Sequence, residues 1–252
     1  MEHASAGMRS AHRDERRVAM SAELWLVRHA QSQGNVADDA ARGARAEMLD
    51  LDIRDPDVPL SALGVRQARA LGACWAQRPS AALATRVVSS PYERALRTAT
   101  LAVEAAGWDV VVERDERLRE RDLGMLDGFT SVGIEARFPD EARRRARLGK
   151  FYYRPPGGES WADVAGRVRT VLEAYQPHDG ERLLVVSHQA VLTLFRYVLE
   201  ALDEQQVLEI DRGAPVPNTA MTVYTGGPGS WQLHTLAAVD HLRGTDAAPE
   251  QT

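Results

Sequence analysis

Two short apolar runs each end in a histidine: Leu24-Trp25-Leu26-Val27 leads into Arg28-His29, and Leu183-Leu184-Val185-Val186-Ser187 leads into His188. Runs this short and this continuously apolar, set among segments of helical period, read as strands buried on both faces, as parallel sheets require. The residues just past them then fall at the carboxyl edge of an α/β sheet. That edge is where strand-to-helix turns leave a crevice and helix N-termini aim free N–H groups into it. An Arg-His pair and a second His placed there point to an anion pocket with a nucleophile inside it.

Further strand-like runs alternate with helical ones: Ala84 to Ser89, Val110 to Val112, Met221 to Thr225 and Trp231 to Leu236. The last two flank Gly226-Gly227-Pro228-Gly229 and read as an antiparallel hairpin at a sheet edge. The expected fold is therefore α/β, a three-layer sandwich whose mostly parallel central sheet is flanked by helices and bears one antiparallel edge hairpin. Ser61 precedes one helical segment, Pro91 stands at the start of another, and Ser160 or Glu159 opens a third. In that third helix Trp161, Val164, Val168, Val171, Leu172 and Tyr175 repeat at helical spacing and are expected to face the core. Residues 36–56, rich in Ala, Asp and Arg, are either an irregular helix or a mobile flap beside the first His.

At 252 residues and 44% apolar content the chain is sized for one large domain. Residues 1–21 lack any sustained apolar period and are expected to be a disordered tail, as are residues 243–252; the domain is placed at 22–242. No apolar stretch reaches the roughly 18 residues of a membrane span, and the N-terminus lacks a secretory apolar core, so a cytoplasmic location is expected. Cys74 is the only cysteine and no His/Cys spacing resembles a zinc site, so neither a metal nor a cofactor is expected. Net charge is −5, which argues against a nucleic-acid partner and requires any anion site to be local. Composition leaves self-association into a homo-oligomer open.

A third strand end adds to the pattern. Val87-Val88-Ser89-Ser90 runs into Pro91-Tyr92-Glu93-Arg94, which places Arg94 about one turn into the next helix, within reach of the sheet edge. Arginine supplies the forked donors that phosphate oxygens need, and a neutral imidazole nitrogen is a competent nucleophile towards phosphorus. Neighbouring cations favour that neutral form.

Read together, six segments resemble the histidine phosphatase superfamily, the group that includes cofactor-dependent phosphoglycerate mutases and fructose-2,6-bisphosphatases. They are Leu26-Val27-Arg28-His29-Ala30-Gln31-Ser32-Gln33-Gly34-Asn35; Pro59-Leu60-Ser61-Ala62-Leu63-Gly64 with Gln67-Ala68; Ser89-Ser90-Pro91 with Arg94-Ala95 and Thr98-Ala99; Leu118-Arg119-Glu120-Arg121-Asp122-Leu123-Gly124 with Gly128; Gly158-Glu159-Ser160; and Val186-Ser187-His188-Gln189-Ala190. The resemblance implies that His29 is the phosphorylated nucleophile and that Arg28, Arg94 and His188 hold the phosphoryl oxygens, with Asn35 and Gln189 completing the cradle. It makes Glu120 the proton donor to the leaving oxygen. Two positions depart from the family's usual residues: Ala30 stands where Gly is common, and Gln31 where Glu is common.

The segment before Gly158-Glu159-Ser160 is similar to that of fructose-2,6-bisphosphatases, and it makes Arg154, like Arg121, a candidate substrate contact. Gly157 and Thr193 stand where those enzymes carry basic residues, which argues against that bisphosphate. Residues 135–150 carry Arg137, Arg143, Arg144, Arg145, Arg147 and Lys150, forming either a wall for a second anionic group or a solvated helix face with Glu141 paired to Arg145. The resulting expectation is a metal-independent phosphomonoesterase acting on a small phosphorylated metabolite. The alternatives are a cofactor-dependent phosphoglycerate mutase and a non-catalytic module that binds phosphorylated ligands.

Overall fold

A computed structural model describes residues 21–79, 82–213, 215–227 and 229–248. Six strands form one sheet in the order β3-β2-β4-β1-β5-β6: β1 Ala22–Arg28, β2 Arg86–Ser89, β3 Val112–Arg114, β4 Arg182–Ser187, β5 Met221–Gly226 and β6 Gln232–Ala238. Pairs β1·β4, β2·β4 and β2·β3 are parallel, whereas β5 runs antiparallel to both β1 and β6. The expected α/β sandwich and its edge hairpin are thus present.

The reason for the layering lies in the central strands. In β1, Leu24 and Leu26 enter one buried cluster while Trp25 and Val27 enter another; in β4, Leu183 and Val185 divide from Leu184 and Val186 in the same way. Both faces of each strand are apolar because both are covered, the period of two setting which residue goes where. One cover is α6 (Trp161–Ala174) with α7 (Gln189–Leu199), the other α2 (Ala62–Ala76) with α3 (Glu93–Ala106). On the second face Trp25, Trp75 and Trp108 cluster, the rings of Trp75 and Trp108 stacked with centroids 4.9 Å apart.

Helix starts are fixed locally. Ser61 caps α2 by accepting from Gly64 N, and Ser160 forms a reciprocal capping box with Asp163 at α6. Pro91 stands two residues before α3, whose N-cap is Tyr92. Of the six apolar residues expected to face the core from α6, Trp161, Val164, Val168 and Val171 are buried, and Leu172 and Tyr175 pack partly against them. Residues 36–56 divide in two: α1 (Gln33–Ala44) ends at Arg45, and an irregular stretch then runs to a 3-10 turn at Asp55–Asp57.

The basic segment forms α4 (Ser131–Arg137) and α5 (Pro139–Tyr152). Its Glu141 pairs with Arg144 rather than with Arg145. The remaining helix, α8 (Glu204–Arg212), carries Asp211, the partner of Lys150. Residues 1–20 and 249–252 of the expected tails lie outside the described residues. Residues 243–248 are described and pack back on the domain: Ala247 is buried, and Arg66 Nε donates to Asp246 O from α2. No described helix is long and apolar enough to cross a membrane.

One glycine fixes the turn after His29. A Cβ on Gly64 would stand 1.9 Å from Gln31 O, the same carbonyl that accepts from Ser61 N. Gly64→Ala should therefore push that turn away, costing about 1–3 kcal/mol in denaturant unfolding and lowering turnover with it; unaltered stability would mean that the close approach is not required.

Candidate active site

Register brings the two histidines together. Arg28 is paired with Ser187 across the parallel β1·β4 ladder, so the next residues, His29 and His188, leave adjacent strands side by side. Their ring centroids are 5.1 Å apart. β1 leads into α1 and β4 directly into α7; the chain after β1 goes on to cover one face of the sheet with α2, whereas α7 covers the other, and this divergence opens the crevice.

His29 is 4% exposed, and its Nδ1 lies 2.8 Å from Ala30 O. A carbonyl only accepts, so Nδ1 carries the proton and Nε2 keeps its lone pair. Burial, then the guanidiniums of Arg94 and Arg28, hold the His29 pKa well below 6.5. His188 is fully buried and also held well below 6.5, by burial first and then by Arg94. Its Nε2 shares a hydrogen bond of 2.8 Å with Ser90 Oγ, while its Nδ1 is buried with no hydrogen-bond partner among the described residues.

A chamber of about 220 Å³ opens beside His29, and Arg28, Asn35, Arg94 and Glu120 all line it. Arg28 donates from Nη1 to Val216 O, and its Nε is buried with no partner among the described residues. Arg94, 5% exposed, rises from the first turn of α3. Asn35 is the third residue of α1, where its Oδ1 accepts from Ser32 N and from Asn218 Nδ2. Buried polar atoms are normally satisfied, so the orphaned Nε of Arg28, a residue that lines the chamber with His29, points to a place for a ligand.

Glu120 borders this chamber and a larger one of about 630 Å³ that adjoins it. Its Oε1 accepts from Arg121 N at 2.8 Å, and burial raises its pKa above the ordinary 4.5. The loop that carries it is clamped from behind. Glu159 takes ion pairs from Arg119 and Arg167, and Arg167 Nη2 also donates to Glu120 O. Gly124 (φ 54°) lets this loop touch the next one, since a Cβ there would lie 2.2 Å from Pro156 O. The Gly158-Glu159-Ser160 segment thus has a structural reason: it braces the acid's loop and caps α6.

Arg121 and Arg145 line the outer chamber, Arg121 held by Glu159 O and Tyr153 O. Three expected residues line neither chamber: His188, whose ring stands beside that of His29 and whose Nε2 is engaged by Ser90 Oγ, and two that lie elsewhere. Arg154 lines neither chamber; its guanidinium is exposed and paired with Asp163 at the start of α6. Gln189 lines a separate cavity of about 340 Å³ with Leu26, Leu192 and Val216. Conversely, Asn218 and Thr98 escaped the sequence reading as site residues: Asn218 Nδ2 donates to His29 O at 3.0 Å, and Thr98 Oγ1 accepts from Ala30 N. The one signal near Asn218 in the sequence is the pair Pro215 and Pro217, which stiffens the chain before it. Among the described residues no cluster of His, Cys, Asp or Glu is arranged to hold a metal ion.

The family model of the histidine phosphatase superfamily (branch 1) matches residues 24–239. A 2,3-bisphosphoglycerate-dependent phosphoglycerate mutase of Methylobacterium radiotolerans is 35% identical over 201 residues, covering 77% of this chain and 87% of its own. A probable phosphoglycerate mutase of Proteus mirabilis is 33% identical over 238 residues, 91% of this chain and 98% of its own. Among solved structures, a mycobacterial glucosyl-3-phosphoglycerate phosphatase superposes with a TM-score of 0.62 at 28% identity, covering 86% of this chain and 98% of its own.

Proposed function

The chain belongs to the histidine phosphatase superfamily, and we propose that it is a phosphomonoesterase for a small phosphorylated metabolite, working through a phosphohistidine on His29. The observation that carries this reading is the His29 Nδ1 contact with Ala30 O, which leaves Nε2 its lone pair, at a chamber lined also by Arg28, Arg94 and Glu120. In the first step the Nε2 lone pair forms the P–N bond, the P–O ester bond breaks, and the leaving oxygen takes the Glu120 proton. In the second, the Glu120 carboxylate takes a proton from water, whose oxygen bonds to phosphorus as the P–N bond breaks, and orthophosphate is released. Arg28 and Arg94 balance the charge on the phosphoryl oxygens throughout.

The pKa directions set the pH dependence. His29 must be neutral, so the rate is lost as pH falls through its depressed value; Glu120 must be protonated, so the rate is lost as pH rises through its raised value. A profile of kcat/KM on an alkyl phosphate should therefore retain activity on the acid side of neutrality. A rate that begins to rise only above about pH 6.5, the ordinary histidine value, would contradict a neutral, buried His29.

The names of the curated relatives favour a second reading, a phosphoglycerate mutase. It uses the same phosphohistidine but returns the group to a second hydroxyl. Incubation with 3-phosphoglycerate, with and without 2,3-bisphosphoglycerate, separates the two. Net release of inorganic phosphate supports the phosphatase, and cofactor-stimulated isomerisation without release supports the mutase.

A further inference from the structure

Residues 49–55 run along the inner chamber as an irregular strap, bent at Asp50 and Ile53. Leu49, Leu51, Ile53 and Asp55 all line the chamber. One end is tied beside the acid's loop, where Leu49 N donates to Gly128 O at 2.8 Å and Met48 bridges Phe129. The other end is tied to Arg94. Nη1 of that arginine donates to Asp55 O at 2.6 Å and pairs with Asp55 Oδ1 at 3.0 Å, and Nη2 donates to Oδ2 at 3.2 Å.

Both terminal nitrogens of Arg94 are thus occupied by the strap, although the side chain is only 6% exposed and lies in the phosphoryl chamber. The guanidinium fork fits a carboxylate and a phosphoryl group in the same bidentate manner, so the two ligands compete for it. We propose that Asp55 is a resident competitor for Arg94 that a phosphoryl group must displace, and hence a residue that sets how tightly this site holds phosphate and phosphomonoesters. The proposal rests on the reading that Arg94 receives the phosphoryl group. It gives the strap a part in turnover: in the free protein Asp55 neutralises a buried cation, and its return after hydrolysis helps to expel orthophosphate. The same carboxylate adds negative charge beside Glu120 and Asp127, whose pKa values it helps to raise.

The test is calorimetric titration of the full chain with inorganic phosphate at fixed ionic strength, alongside KM and kcat on a phosphomonoester. Asp55→Asn, which keeps the backbone carbonyl bonded to Arg94 and removes the charge, should bind phosphate about tenfold more tightly, the scale of one charge-assisted hydrogen bond. Its KM should fall by a similar factor. Asp55→Glu, which keeps the charge, should stay within about threefold of the parent, and Asp55→Ala repeats the sign of the Asn variant should that one fold poorly. Phosphate binding that is unchanged or weaker in Asp55→Asn and Asp55→Ala overturns the proposal and makes Asp55 a brace for Arg94. Failure of the parent and all variants to bind phosphate instead overturns the phosphoryl cup itself.

Discussion

Replacing His29 with alanine should abolish covalent labelling of the chain by a phosphomonoester and lower turnover by about 10⁴-fold or more, as loss of a catalytic nucleophile does elsewhere. The size of the effect follows from the lack of a substitute. His188, the other imidazole at the sheet edge, has its Nε2 engaged by Ser90 Oγ, and it is fully buried. Rapid quench followed by acid-labile phosphate analysis reads the intermediate directly. Undiminished label on the His29→Ala protein would mean that another side chain accepts the phosphoryl group.

Glu120→Gln should slow hydrolysis of alkyl phosphates by about 10²–10⁴-fold, the usual contribution of one positioned acid, while hydrolysis of p-nitrophenyl phosphate falls much less. An alkoxide needs the proton as the P–O bond breaks; nitrophenolate leaves without it. Glutamine keeps the size of the side chain, and its carbonyl oxygen can still accept from Arg121 N, so the loop should hold its place. Equal losses on both substrates would remove Glu120 from the acid role. The ratio of the two losses therefore matters more than either one.

Much of this architecture was legible in the sequence because it rests on local rules. The runs ending at Val27 and Val186 are apolar at every position, as a strand covered on both faces requires, and Ser61 and Ser160 each announce a helix start through a single hydroxyl. What was not legible depends on long-range pairing. Arg154 stands in the segment that suggested a substrate contact, yet Asp163, nine residues on at the first turn of α6, takes its guanidinium. Gln189 follows His188 directly, but it lines a different cavity from the one beside His29. Asn218 and Asp55 reach the site across 189 and 39 residues of chain respectively, so nothing near either in sequence records its partner.

The pairing of Arg28 with Ser187 has a consequence for quality control of the fold. Each step along a strand is about 3.3 Å and reverses the side-chain direction, so if β1 slid by one residue against β4, His29 would turn to the wrong face of the sheet. A slide of two would restore the face but separate the imidazoles by roughly two such steps. Such a chain could remain compact, with its leucines and valines still hidden from water, and yet be inert. Specific activity per folded molecule is thus a gauge of strand alignment, finer than helix content or hydrodynamic size.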